Sequence, residues 1–163
     1  MPTRARPEDA LRAHDHARCV DRVMAEVETL SDRARLRLTP VRRRVLEILL
    51  ESHRALGAYD ILDRLAAEGT RAQPPVAYRA LGFLQEHGLV HKIERLNADV
   101  ACMHPPGAHV PAFMVCRGCR QVAETAAPRP PEALDGAAEA AGFRVEHMVM
   151  EAEGLCPACA EAS

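Results

Sequence analysis

The sequence predicts an α+β protein in two parts: an N-terminal winged helix-turn-helix domain, then a smaller α+β domain closed by a four-cysteine zinc site. Three observations carry that prediction. Helical apolar periodicity recurs in segments up to Gly88, two short strand-like segments then flank an Asn97 turn, and two C-x-x-C pairs bracket a final stretch of strand, helix and strand character.

Taken in order, residues 17–33, "ARCVDRVMAEVETLSDR", bring Val20, Met24, Val27 and Leu30 onto one helical face. A second helix begins at Thr39 and Pro40. The threonine hydroxyl can accept an open backbone N–H, and proline lacks the N–H that would go unused at the first position. Val41, Val45, Leu46 and Ile48 or Leu49 form its buried stripe. Gly57 breaks the chain before "AYDILDRLAAEG", a third helix with Ile61, Leu62 and Leu65 inward and Gly69 as its stop. In "QPPVAYRALGFLQEHG" the paired prolines set the helix start after Pro75. Its core face is Val76, Ala80, Leu81, Phe83 and Leu84, and Gly88 ends it. Residues 89–94 and 100–103 read as the two strands of a wing. Past a hinge at "HPPGAHVP", the segments "AFMVC" and "QVAETA" read as strands and "PPEALDGAAEAAG" as a short helix. "FRVEHMVMEAEG" reads as one long strand alternating through Phe143, Val145, His147 and Val149. The boundaries expected are 1–104 for the winged-helix domain, with 1–16 as a flexible lead, and 105–163 for the second domain.

Composition narrows the class. Of 163 residues, 48% are apolar and 27% charged, which suits a packed protein rather than a disordered one. No apolar run approaches the roughly 20 residues that span a bilayer. The charged start "MPTRARPEDALRAHDHARC" has no apolar centre of the kind a secretory signal carries, so a cytoplasmic protein is expected. In that reducing compartment, paired cysteines read as metal ligands or redox centres rather than disulfides. The formal charge of −2 hides an asymmetry: 17 basic and 15 acidic residues up to position 103, then 4 and 8. Residues 33–79 hold ten Arg against five Asp or Glu, which suits an anionic partner at one end of the molecule. In a winged helix that partner is double-stranded DNA. Helix 76–87 would lie in the major groove, with Tyr78 and Arg79 of its leading turn near base edges and phosphates.

The stretch "CMHPPGAHVPAFMVCRGC" crowds five Cys and His residues into positions 102–119. Cys116-Arg-Gly-Cys119 and Cys156-Pro-Ala-Cys159 are knuckles separated by 36 residues, and each aims two sulfurs at one point. Four thiolates complete the tetrahedron zinc prefers and leave no position for water, so this zinc is structural. A thioredoxin-like centre would need one pair in a βαβ unit, not two. Near the hinge remain His91, Cys102, His104 and His109, with Glu124 on the following strand. His91, Cys102, His109 and Glu124 could hold a second zinc across the hinge, less firmly than four thiolates do, and the thiolate disfavours Mg²⁺ or Mn²⁺. A third cluster, His14, His16 and Cys19, is a possible extra, weak metal site, although a solvated helix start is the favoured reading. The expectation is therefore about two zincs per chain. A zinc-dependent hydrolase using Glu124 as base is the rival from enzyme chemistry. Neither H-E-x-x-H nor the H-x-E with P-C-x-x-C deaminase pattern is present, so no enzyme is expected.

Five stretches, "RLTPVRRRVLEIL", "AYDILDRL", "PPVAYRALGFLQEHGLVHKIE", "HVPAFMVCRGCRQVAE" and "GFRVEHMVMEAEGLCPAC", together resemble the ferric uptake regulator family, and within it the zinc-uptake-regulator branch. The resemblance runs from about residue 20 to 160. It implies a homodimeric winged-helix repressor that binds operator DNA when its metal is bound, with the second domain serving dimerisation and zinc-uptake genes as targets. It implies structural zinc on Cys116, Cys119, Cys156 and Cys159, regulatory zinc on His91, Cys102, His109 and Glu124, and DNA-facing roles for Tyr59, Tyr78, Arg79 and Arg42. No membrane and no small-molecule substrate are implied. The iron- and peroxide-sensing branches remain the alternative, but they carry a His-rich cluster where this chain reads "HVPAFMVC". Two departures stand out: Val76-Ala77-Tyr78-Arg79 in place of T-V-Y-R, and Thr39-Pro40-Val41-Arg42 in place of T-P-Q-R.

Overall fold

The first three helices start where a side chain accepts a backbone N–H at the helix end. Helix α1 (His16–Ala34) opens under Asp15, whose carboxylate accepts the Arg18 N–H at 3.4 Å. Helix α2 (Pro40–Leu50) has Thr39 as its cap, the hydroxyl accepting the Arg42 N–H at 3.4 Å. Helix α3 (Ala58–Ala67) follows Gly57, whose N–H is taken by the Asp60 carboxylate at 2.8 Å. The computed structural model describes residues 10–11, 15–104, 111–126, 132–146 and 148–162. His14, His109, His147 and most of the lead 1–16 lie outside them.

Helix α4 (Pro74–Glu86) begins ahead of the expected start. Both prolines sit in the first turn, where the N–H groups they lack have no acceptor within the helix. Its core face also differs from the expectation. Val76 is only half-buried, whereas Ala77 is buried with Ala80, Leu81 and Leu84. Reading periodicity by apolar size selected the valine; the packing of α4 on α2 and α3 turns the smaller alanine inward. The helix ends in a Schellman arrangement. Gly88 takes φ +66°, its N–H reaches the Gln85 carbonyl at 3.0 Å, and the Leu89 N–H reaches that of Leu84 at 2.8 Å.

Strands β1 (Val90–Ile93) and β2 (Ala98–Ala101) form an antiparallel hairpin, with His91 opposite Val100 and Lys92 opposite Asp99. Its turn is a short 3-10 segment, Glu94–Leu96, closed by Asn97 at φ 44°. The second strand starts two residues before the expected one. Cys102 lies just past its end, still held by donating its N–H to the Leu89 carbonyl at 2.9 Å.

The C-terminal sheet has the order β4-β3-β5. Strand β3 (Pro111–Cys116) pairs antiparallel with β4 (Val122–Ala126) and parallel with β5 (Met150–Gly154). Helix α5 (Glu132–Ala140) lies between β4 and β5 in the chain, and the short α6 (Pro157–Glu161) follows. The long strand expected from Phe143 is corrected: the strand begins at Met150, and Phe143 is 68% exposed. The parallel register sets Met150 opposite Ala112, close to the start of β3, and among the described residues, 143–146 and 148 belong to no strand.

Two apolar cores result. The first joins α1 to α4 and includes Val90 and Ala101 of the hairpin. The second packs Ile93, Ala98 and Val100 of the hairpin, with Ala55, against Phe113, Val115 and Val122 of the sheet. Burying one side chain of the size of Ile93 or Phe113 stabilises by about 1.5–3 kcal/mol, so the hairpin is an anchored element of both halves. The segment before α3 adds backbone ties: Leu56 exchanges hydrogen bonds with Asp99 at 2.9 and 2.8 Å, and His53 accepts the Val122 N–H at 2.7 Å.

Candidate metal centres and nucleic-acid interface

The parallel register of β3 and β5 assembles the four-cysteine cluster. Cys116 faces Gly154 across the ladder, so Cys156 and Cys159 arrive beside the Cys116–Cys119 knuckle. All four sulfurs lie within 4.8 Å of one another, and those of Cys119 and Cys156 are 3.7 Å apart. Sulfurs about 2.3 Å from a tetrahedral zinc are about 3.8 Å apart, so the spacing fits that ion. Gly118 suits a crowded position. A Cβ there would sit 3.0 Å from the Cys159 sulfur and 3.2 Å from its Cβ. The backbone also favours charge at one sulfur. The Cys156 N–H donates to Cys116 Sγ at 3.3 Å, which with the Cys119 and Gly118 N–H groups brings that thiol down to about 6. Cys159 is pushed up to about 12 by the sulfurs of Cys156 and Cys116. Such a pocket accepts one thiolate readily and resists the next, as converging sulfurs must until a cation joins them.

The second cluster joins the hairpin to the sheet. His91 on β1, Cys102 after β2 and Glu124 on β4 bring one ligand atom each within 4.8 Å of the others. Glu124 Oε1 is 3.3 Å from His91 Nε2 and 3.6 Å from Cys102 Sγ. In a tetrahedral zinc site, N–O and S–O edges are about 3.3 and 3.5 Å, so both edges that meet at Glu124 Oε1 fit that ion. The fourth expected ligand, His109, lies outside the described residues. Glu124 Oε2 accepts the Met103 N–H at 2.8 Å, which leaves Oε1 turned to the cluster. The Met103 carbonyl in turn accepts from Arg22 Nη2 of α1 at 3.1 Å. Sequence reading missed Arg22; its only signal was an i,i+4 pairing with Glu26 beside the apolar stripe of α1. Burial pushes the Cys102 thiol well up, and the neighbouring Glu124 carboxylate adds to that shift. Two buried acidic groups beside a half-buried imidazole suit a dication.

The possible N-terminal cluster divides. His16 Nε2 stands 2.7 Å from the Leu50 carbonyl, and its ring lies edge-on to His53 at 4.7 Å, tying the start of α1 to the end of α2. Cys19 is half-buried on the same helix. Among the described residues, neither belongs to a group of three or more candidate ligands.

Tyr59 and Tyr78 are 67% and 55% exposed. Both line a groove with Gly82, Gln85, Lys92, Asn97 and Asp99, between α3, α4 and the hairpin. Arg79 is exposed, its Nε donating to the Pro75 carbonyl at 3.1 Å. Arg42 is engaged elsewhere: its guanidinium lies 3.6 Å over the Phe83 ring, and Nη1 donates to the Arg37 carbonyl at 2.8 Å. Near the groove floor, buried Asp99 accepts from Gln85 Nε2 at 2.5 Å.

A model of the ferric uptake regulator family matches residues 33–153. The chain belongs to that family. Among curated relatives, the zinc uptake regulation protein of Escherichia coli (strain K12) is 39% identical over 140 residues, 85% of this chain and 82% of the relative. A solved zinc uptake regulator complexed with zinc and DNA overlays with a TM-score of 0.81 at 38% identity, covering 88% of this chain and 96% of that one. Holo XcZur gives 0.77 at 36% identity, covering 87% and 99%. Apo XcZur, 35% identical over 88% of this chain and 99% of its own, falls to 0.52. The chain thus overlays the holo form and the DNA complex more closely than the apo form. Among the described residues, no helix is long and apolar enough to cross a membrane.

Proposed function

We propose that this chain is a zinc-responsive transcriptional repressor, binding operator DNA as a homodimer when zinc occupies the hinge site and controlling zinc-uptake genes. The observation that carries the reading is the His91–Cys102–Glu124 cluster, which joins hairpin to sheet at zinc spacing in a chain arranged like the zinc-and-DNA complex. Zinc bound there supplies a cross-link between residues of the two halves. His91 and Cys102 move with the hairpin and α4, Glu124 is fixed on the sheet, and His109 is the fourth ligand. Cys116, Cys119, Cys156 and Cys159 hold a second, structural zinc, giving two per chain. The division expected at residues 104 and 105 falls within the hinge ligand set, with His91 and Cys102 before it and His109 and Glu124 after it.

DNA-facing roles go to Tyr59, Tyr78, Arg79 and Arg42, the last of which also lies over the Phe83 ring of α4. Such a protein is a cytoplasmic regulator and not an enzyme. Iron or peroxide sensing is disfavoured by the soft Cys102 sulfur in the hinge cluster.

The test is capture of fragmented host DNA by the purified protein, with micromolar free zinc and with a chelator too mild to strip the four-cysteine site. Capture of a few specific fragments only with zinc, with about one zinc per chain lost on chelation, is the expected result. Fragments captured equally in both conditions would refute zinc control, and tighter retention of iron than zinc would move the chain to another branch.

A further inference from the structure

The zinc cluster fastens the base of the hairpin to the sheet; its tip is fastened too, without a metal. Glu151 on β5 accepts the backbone N–H groups of Glu94 and Arg95 at 2.8 and 3.3 Å, satisfying the open end of the 3-10 turn. The Arg95 guanidinium reaches the Glu153 carboxylate with both Nε and Nη2, at 2.5 and 3.2 Å. These bonds join residues 56 to 58 positions apart, and they lie at the far end of a four-residue strand, about 13 Å from the hairpin base. These tip bonds add a directional hold to the apolar packing of Ile93, Ala98 and Val100 on the sheet.

We propose that Arg95, Glu151 and Glu153 are positioning residues that pin the wing tip to the C-terminal sheet in the DNA-competent arrangement, and so set how much zinc that arrangement requires. The proposal rests on the zinc-repressor reading. The arrangement bearing these bonds overlays the holo form and the DNA complex far better than the apo form. Any contact made only in the closed arrangement favours zinc binding there, because both draw on the same equilibrium. Its contribution is modest, since Arg95 is 60% exposed and Glu153 32%.

A double-mutant cycle tests it in the full-length, zinc-loaded protein: Arg95→Met, Glu153→Gln and the pair. Two readouts are taken, zinc affinity of the hinge site by chelator competition without DNA, and the free zinc at half-maximal retention of a captured operator fragment. Each single change should raise the zinc required about two- to fivefold, and the double change no further, because the partners lose one shared interaction. Unchanged zinc requirements, or effects that simply add in the double variant, would overturn the proposal. If the wild-type protein retains no fragment with zinc, the repressor reading fails by itself, and the chelator arm still decides whether the tip contact supports zinc binding.

Discussion

At the scale of single residues, two positions act through what they hold rather than by binding metal. Gly118 leaves the space in which the Cys159 sulfur lies, and a methyl group there has 3.0 Å in which to fit. Gly118→Ala should therefore cost about 1–3 kcal/mol and loosen the four-cysteine zinc, read as a lower melting temperature and faster zinc release to a chelator. Arg22 acts on the other cluster at one remove, through the Met103 peptide that orients Glu124. Arg22→Met should weaken hinge zinc by up to about tenfold while the zinc on the four cysteines stays, as metal counts and chelator competition will show. No spacing rule points to Arg22, because the peptide it holds lies 81 positions away.

At the scale of elements, Asp99 is where hairpin, α4 and the segment before α3 meet. Its backbone pairs with Leu56, its carboxylate accepts from Gln85, and Lys92 stands opposite on β1. Burial raises its pKa above the ordinary 3.8, while Gln85 and Lys92 pull it back and Glu94 adds to the rise. For an acid raised in the folded state, folding favours the proton. The stabilising contribution is whole below the ordinary value and is lost as pH climbs through the raised one. Asp99→Asn keeps an acceptor for Gln85 and removes the buried charge. The variant should be more stable than the wild type at neutral pH, with the gap closing in acid, in denaturant titrations across that range. A gap that does not change with pH would remove the carboxylate from the explanation. Helix limits were legible at this scale: Thr39, Gly57 and Gly88 mark ends for reasons local to the chain. The choice of Ala77 over Val76, and the true start of β5, were not, because each depends on the neighbour packed against it.

At the scale of the whole molecule, the hairpin belongs to both cores and carries two of the candidate hinge ligands. Losing the hinge metal should thus change the relation of the halves rather than unfold them. Cys102→Ser should retain about one zinc per chain, remain folded, and lose more than about tenfold in zinc-dependent operator affinity. X-ray scattering of that variant with zinc should match the mildly chelated wild type. An insoluble or unfolded variant would end the separation of a building metal from a reporting one. Stripping the four-cysteine site should instead unfold the C-terminal sheet, since its ligands tie β5 and α6 to β3.

What the sequence determined by itself is what short-range physics governs. It set the helix limits at caps and glycines, the two knuckles, the ligand types left over at the hinge, and the order of helices, hairpin and sheet. The family could be read from the same residues. Only the tertiary structure decided which distant faces meet. The parallel register of β3 with β5 brings Cys156 to Cys116, the antiparallel β3–β4 pair sets Glu124 over His91 and Cys102, and the wing tip comes down on Glu151 and Glu153. A cap or a knuckle is settled by a few neighbouring torsions and hydrogen bonds. A register or a docking surface is settled by the burial of many side chains at once, and no local stretch of the chain contains that sum.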